Sequence, residues 1–294
     1  MPKVLRTSRY VNHKHTMLYT CAHKALIAGV GLSIGAWAPC GMQAIAATAK
    51  PKQALVGYRS IAGGTITTLL PPDGKQAPVT LPGFAMRVLP VTQAEFARFA
   101  QQHAQWRKSR AANSSLADGQ YLRGWPTDAA PNKAQLSQPV TDVSWFAAAA
   151  FCTSEGARMP TWHEWEYAAA ADEKRRDARS DPVWRARILD WYGQPSKPLP
   201  AVGASAPNVY GIQDLHGVIW EWVDDAGALM VSGDNRTQGD PDTLKFCGAG
   251  ALSATDRENY PILMRIAMLS SLSAASTNRN LGFRCVKEIT GAKR

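Results

Sequence analysis

Apolar residues along this chain come in short bursts, and the spacing within each burst predicts the element. Thr92-Gln93-Ala94-Glu95 has the form of a capping box, and Phe96, Phe99 and Ala100 behind it line one helical face. Ser144 is placed to cap a second helix, which Gly156 ends. Thr161 and Glu164 form another capping box, opening the helix that carries WEYAAAA. From Glu173 to Trp191 the charged spacing predicts an exposed helix. Tyr58 to Val88 alternates apolar residues with Gly and Pro, the pattern of short strands and turns. Ser109 to Asn132 is rich in Ala, Asn, Gly and Pro and predicts a long surface loop holding YLRGW. Beyond Leu199 short strands alternate with long structured loops, and no internal repeat is visible. The fold class expected is α+β: an antiparallel sheet, two main packed helices and much irregular loop.

The N-terminus changes the expected compartment. Residues 1–46 carry Lys3, Arg6, Arg9, Lys14 and Lys24 and no acid, then the apolar run Ala25 to Trp37, then Ala44, Ala46 and Ala47. That order of basic, apolar and small residues predicts an export signal, with Met1 or Met17 as the start, and hence a periplasmic protein. The apolar run is shorter than the roughly 18 to 20 residues of a stable span, so no membrane anchor is expected after cleavage. Cys40 follows Ala38-Pro39, a poor lipoprotein signal. The division expected is 1–46 signal, 47–57 leader, 58–288 one domain and 289–294 tail. Removing the five basic residues of the signal lowers the formal charge from +10 to about +5. The densest basic cluster, Lys174-Arg175-Arg176, is flanked by Asp172, Glu173 and Asp177, which argues against a nucleic-acid footprint. Cys152, Cys247 and Cys285 survive cleavage, so an oxidising compartment leaves one pair and one odd thiol.

The densest stretch is PNVYGIQDLHGVIWEW, ending at Trp222. Trp220 and Trp222 share one face of an extended segment, with Glu221 on the other. Asp214 and Glu221, separated by a Gly-containing turn, have the hard oxygens to close around a cation with main-chain carbonyls. The other reading is that Asp214 caps a turn and Glu221 pairs with an arginine such as Arg284. His163 and Glu166 are spaced i, i+3, which permits a metal, although a helix-surface histidine is the commoner outcome. His216 in DLHG fits a buried, hydrogen-bonded ring as well.

Four ordered motifs, that stretch together with PVTQAEFARFA (from Pro90), PVTDVSWFAAAAFCTSEGARMPTWHEWEYAAA (from Pro139) and NLGFRCV (from Asn280), resemble the formylglycine-generating-enzyme or sulfatase-modifying-factor superfamily. GDPDTLKFCGAGALS, from Gly239, is most similar to NirV-type proteins, which are associated with copper nitrite reductases. The resemblance implies a C-type-lectin-like fold, a Cys152–Cys285 disulfide, and a structural calcium held by the Asp214 and Glu221 side chains and the Gly217 and Ile219 carbonyls. It also implies where the oxidases of the family keep a copper-binding cysteine pair. Here that segment reads GAGALSATDRENYPILMR, with no cysteine between Gly248 and Arg284. Two thiolates are the chemistry that holds Cu(I), so no copper is expected.

The pocket candidates are then Cys247, Ser253, Asp256, Arg257, Glu258 and Trp220. Cys247 reads as a small buried hydrophobe or as a redox thiol. Asp256, Arg257 and Glu258 offer acid–base groups or merely pair with one another. The function expected is an exported accessory protein that binds a protein or peptide partner, supporting a periplasmic metalloprotein such as a copper nitrite reductase in denitrification. The alternative is a periplasmic oxidoreductase or peptide-modifying enzyme using the same pocket with altered chemistry.

Overall fold

In the computed structural model, which describes residues 57–68, 78–193, 198–229 and 260–289, strand β1 (Tyr58–Ile61) pairs antiparallel with β4 (Phe84–Arg87). Strand β7 (Val286–Glu288) closes the other edge of β4, so the sheet order is β1-β4-β7. Phe84, Ala85 and Met86 are all buried, because the middle strand is covered on both faces. A separate hairpin joins β2 (Gly64–Ile66) to β3 (Val79–Leu81).

Helix α1 (Gln93–Gln102) starts at a complete capping box. The Thr92 hydroxyl accepts from Glu95 N, and the Glu95 carboxylate accepts from Thr92 N. After the short α2 (Lys108–Ala112) comes α3 (Trp145–Ser154), capped by Ser144, with Gly156 at φ 63° just beyond its end. Helix α4 (Trp162–Ala169) begins at the second capping box, Thr161 with Glu164. These helices meet over an aromatic core. Phe96 stacks on Phe151 with centroids 5.9 Å apart, and Phe283 approaches Phe151 edge-on at 5.4 Å. Cys152 of α3 and Cys285, just before β7, are bonded through sulfurs 2.01 Å apart.

Two expectations are corrected. The helix expected from Glu173 starts only at α5 (Pro182–Gly193), because Pro182 suits a first turn and Asp181 Oδ1 accepts from Val183 N and Trp184 N. Upstream, Asp172 ties Lys174 N and Arg175 N into a turn instead. The supposed surface loop is not superficial: Tyr121, Leu122 and Trp125 are buried, and Lys108 Nζ pins the Arg123 and Trp125 carbonyls. The three-stranded sheet is antiparallel as expected, and one separate pair is parallel. β5 (Trp220–Glu221) runs parallel to β6 (Leu281–Gly282), which brings the WEW and NLGFRC segments side by side. A Cβ on Gly282 would meet the Val140 carbonyl at 2.3 Å, so this crossing requires glycine.

Helices α6 (Ala226–Leu229) and α7 (Tyr260–Ser270) complete the described elements. Among the described residues no helix is long and apolar enough to cross a membrane. The expected signal (1–46), nearly all of the leader and tail, and the candidates Cys247, Ser253, Asp256, Arg257 and Glu258 lie outside the described residues.

Candidate functional site

Glu221, on β5, is the centre of a sealed polar knot. It and Arg284, three residues from Leu281 of β6, are both fully buried. The Arg284 Nε donates to both Glu221 oxygens, at 3.0 and 2.8 Å, and Nη2 donates to Oε1 at 2.8 Å. The indole N–H of Trp165 supplies a further bond to Oε2 at 2.8 Å. The rest of the guanidinium is spent on the Arg87, Val88 and Gln213 carbonyls. A buried ion pair survives only when both partners are satisfied in this way.

A second buried cation lies against the knot. Arg265 of α7 donates through Nη2 to the Glu221 carbonyl and stacks on Trp165, its Cζ 3.6 Å from the ring centroid. Burial pushes its pKa down to about 10, and its Nε has no hydrogen-bond partner. On α4, Glu166 is fully buried and accepts from Thr68 Oγ1 at 2.6 Å and Trp162 Nε1 at 2.9 Å. Burial raises its pKa. His163, i−3 to it, is not gathered with it into a metal cluster.

His216 sits between two indoles, Trp165 at 5.6 Å and Trp184 of α5 at 5.5 Å, both edge-on. Its Nε2 donates to the Ala169 carbonyl at 2.9 Å, and the buried Nδ1 has no partner. Burial pushes its pKa down to about 4, so the ring is neutral at pH 7. It lines a cavity of about 300 Å³ with Trp184, Arg187, Trp191, Asn208 and Asp214.

Asp214 has φ 59°, a left-handed conformation that Asp tolerates better than most residues. Its carboxylate accepts from Gly203 N and, at 2.9 Å, from Ser205 N, so it closes the 203–205 loop. The two carboxylates expected to share a calcium ion are therefore employed elsewhere. Glu221 accepts two bonds on each oxygen, using its lone pairs, and Arg284 supplies three of the four. This donor set does not fit calcium. The alternative reading, a turn-closing Asp214 and an Arg284-paired Glu221, describes the geometry. Among the described residues no group of three or more His, Cys, Asp or Glu is placed to hold a metal ion.

The expected partnership of the two tryptophans also divides. Trp222 is fully buried and donates to the Val143 carbonyl at 3.0 Å. Trp220 is half-buried and forms an aromatic cluster with Tyr192 at 4.9 Å and Trp191 at 5.6 Å. Trp220 is thus the one pocket candidate among the described residues, and it packs between the main core and the aromatic residues of α5.

Sequence reasoning missed Arg265, although a lone cation in the apolar run YPILMRIAMLS is a visible signal for a buried, stacked arginine. It also missed Gln93, whose position at the start of α1 carries no signal of its own.

Residues 44–289 match the sulfatase-modifying factor enzyme 1-like domain. The chain is 27% identical over 250 residues to the inactive C-alpha-formylglycine-generating enzyme 2 of Mus musculus, covering 72% of this chain and 78% of that one. It is 31% identical over 174 residues to the formylglycine-generating enzyme of Streptomyces coelicolor, covering 52% and 53%. It is 29% identical over 161 residues to the hercynine oxygenase of Mycolicibacterium thermoresistibile, covering 49% of this chain and 36% of that protein. The chain thus spans about half the length or less of these last two relatives.

Proposed function

From the premise that the chain belongs to the sulfatase-modifying factor enzyme 1-like family, we propose that it is an exported accessory protein that keeps the family scaffold and has given up the copper-binding cysteine pair. In this reading the scaffold is of the C-type-lectin-like kind. Its long loops bind an exported protein or peptide partner, a periplasmic metalloprotein of the copper nitrite reductase, NirV-associated type, and support its maturation. The observation that carries the reading is the absence of any cysteine between Gly248 and Arg284, beside intact scaffold features. The two capping boxes, the Cys152–Cys285 bond and the Glu221–Arg284 pair are those features. Likeness to a mouse relative named as inactive is in keeping with it.

A second reading has one specific support, the likeness to a hercynine oxygenase. In that reading the protein is an enzyme using the same pocket with altered chemistry, with Asp256, Arg257 and Glu258 as acid–base groups and Cys247 or Ser253 nearby. One strain experiment separates the two. The accessory reading expects the copper content of the nitrite reductase to fall when this gene is deleted. It expects restoration by the wild-type chain and equally by Cys247→Ser and by a triple Asp256→Ala, Arg257→Ala, Glu258→Ala variant. Restoration by wild type but not by the triple variant favours the enzyme. Unchanged copper loading in the deletion strain sinks the accessory role.

A further inference from the structure

A groove of about 730 Å³ lies between the first turn of α1, the Leu122–Trp125 segment and Arg279–Asn280. None of the buried chemistry around Glu221 reaches into its lining. Gln93, which lines it, is only 7% exposed, yet its Oε1 has no hydrogen-bond partner. A buried amide left unpaired is costly, and such a group is kept where a ligand completes it.

The wall opposite is held in a costly backbone conformation. Leu122 at φ 48° and Asp142 at φ 55° both lie in the left-handed region, which is rare for leucine. The two are locked together by Leu122 N donating to the Asp142 carbonyl at 2.8 Å. Arg123 donates twice to Asp142, both times to Oδ1, so Oδ2 has no partner among the described residues. The groove therefore presents acceptors that wait for donors, on a wall that is already fixed.

The chemistry of the lining narrows the ligand class. Its ionic groups are the Arg123–Asp142 pair and the exposed Arg279, and the remaining polar side chains are neutral: the Thr141 hydroxyl and amides such as Gln135 and Asn280. An amide sets an acceptor beside a donor, which matches a hydroxyl that both gives and takes a bond. Leu122, Trp125, Pro198 and Leu199 supply apolar surface for ring C–H faces. An extended peptide fits less well, because none of the described strands lines this groove to offer an edge. Gln93 N, Val140 N and Val202 N are spent on the Gln138, Val91 and Ser137 carbonyls. The volume lies within the usual range for small-ligand sites, about 300–1,000 Å³. We propose that this groove is a saccharide site, taking a neutral mono- or disaccharide whose hydroxyls complete Gln93 and Asp142.

The test is calorimetric titration of the full chain with maltose, cellobiose, lactose and diacetylchitobiose, with an acidic decapeptide as comparator. The expected result is saturable one-site binding of at least one disaccharide. Gln93→Met should weaken it tenfold or more while leaving the thermal midpoint unchanged or raised, because the unpaired amide is gone. Asn280→Ala should also weaken it, and Arg185→Ala, on α5, should not. The proposal is overturned if no disaccharide saturates the protein or if only the peptide binds. It is equally overturned if Gln93→Met binds as well as wild type, or melts lower with affinity intact as an ordinary packing residue would.

Discussion

The Glu221 knot and the Gln93 groove are both polar, and they treat their polar groups in opposite ways. At Glu221 each carboxylate oxygen takes two bonds and the arginine facing it spends its donors on carbonyls and carboxylate alike. At Gln93 an amide oxygen is buried with nothing to bond, beside backbone in a disfavoured conformation. A completed network rigidifies a fold and leaves no valence for a ligand, whereas an incomplete one costs stability and leaves valence to spare. The difference explains why the motif that carries the family resemblance is the structural part of this molecule.

That contrast fixes the sign and rank of the expected effects. Glu221→Ala strands a buried guanidinium and should lower stability by about 3–5 kcal/mol, read from urea denaturation. Glu221→Leu combined with Arg284→Met should lose less than either single change, because no charge is then left alone. If the single and double variants unfold at the same urea concentration, the knot is not a coupled pair. Losing the Cys152–Cys285 bond by double serine substitution should cost about 2–5 kcal/mol, since it closes a long loop in the unfolded chain.

His216 predicts a pH dependence. The unfolded ring takes up a proton near 6.5 and the folded one only near 4. Between those values the unfolded state binds more protons, so stability rises with pH across the window and is complete above it. Acidifying from pH 6.5 to 4 should remove up to about 3 kcal/mol, and His216→Gln should flatten that slope. A slope unchanged in the variant would assign the acid sensitivity to other groups. The smallest effect belongs to Thr161→Ala, which removes the acceptor for Glu164 N and should cost about 1 kcal/mol in the same denaturation assay.

Local chemistry accounts for what was legible. Thr92 with Glu95, Ser144, and Thr161 with Glu164 act within a few residues of themselves, so a one-dimensional reading places α1, α3 and α4. The start of α5 is set by Pro182, a stronger local signal than the charge spacing upstream of it. The burial of Tyr121, Leu122 and Trp125 is not legible in composition, because a Gly- and Pro-rich stretch describes an irregular backbone, not its depth. Calcium at Asp214 and Glu221 is expected from the family resemblance and from their hard oxygen donors. Which of two partners a carboxylate faces depends on Arg284, far along the chain.

By itself the sequence determined the starts of α1, α3 and α4 and pointed to the family, and it placed no cysteine between Gly248 and Arg284, because these depend on residue identity at short spacing. Tertiary structure alone decided that WEW and NLGFRC lie parallel, that Arg265 stacks on Trp165, and that Gln93 is buried without a partner. Each of those rests on contacts between distant segments, and the desolvation that gives a polar group its role exists only after the chain has folded around it.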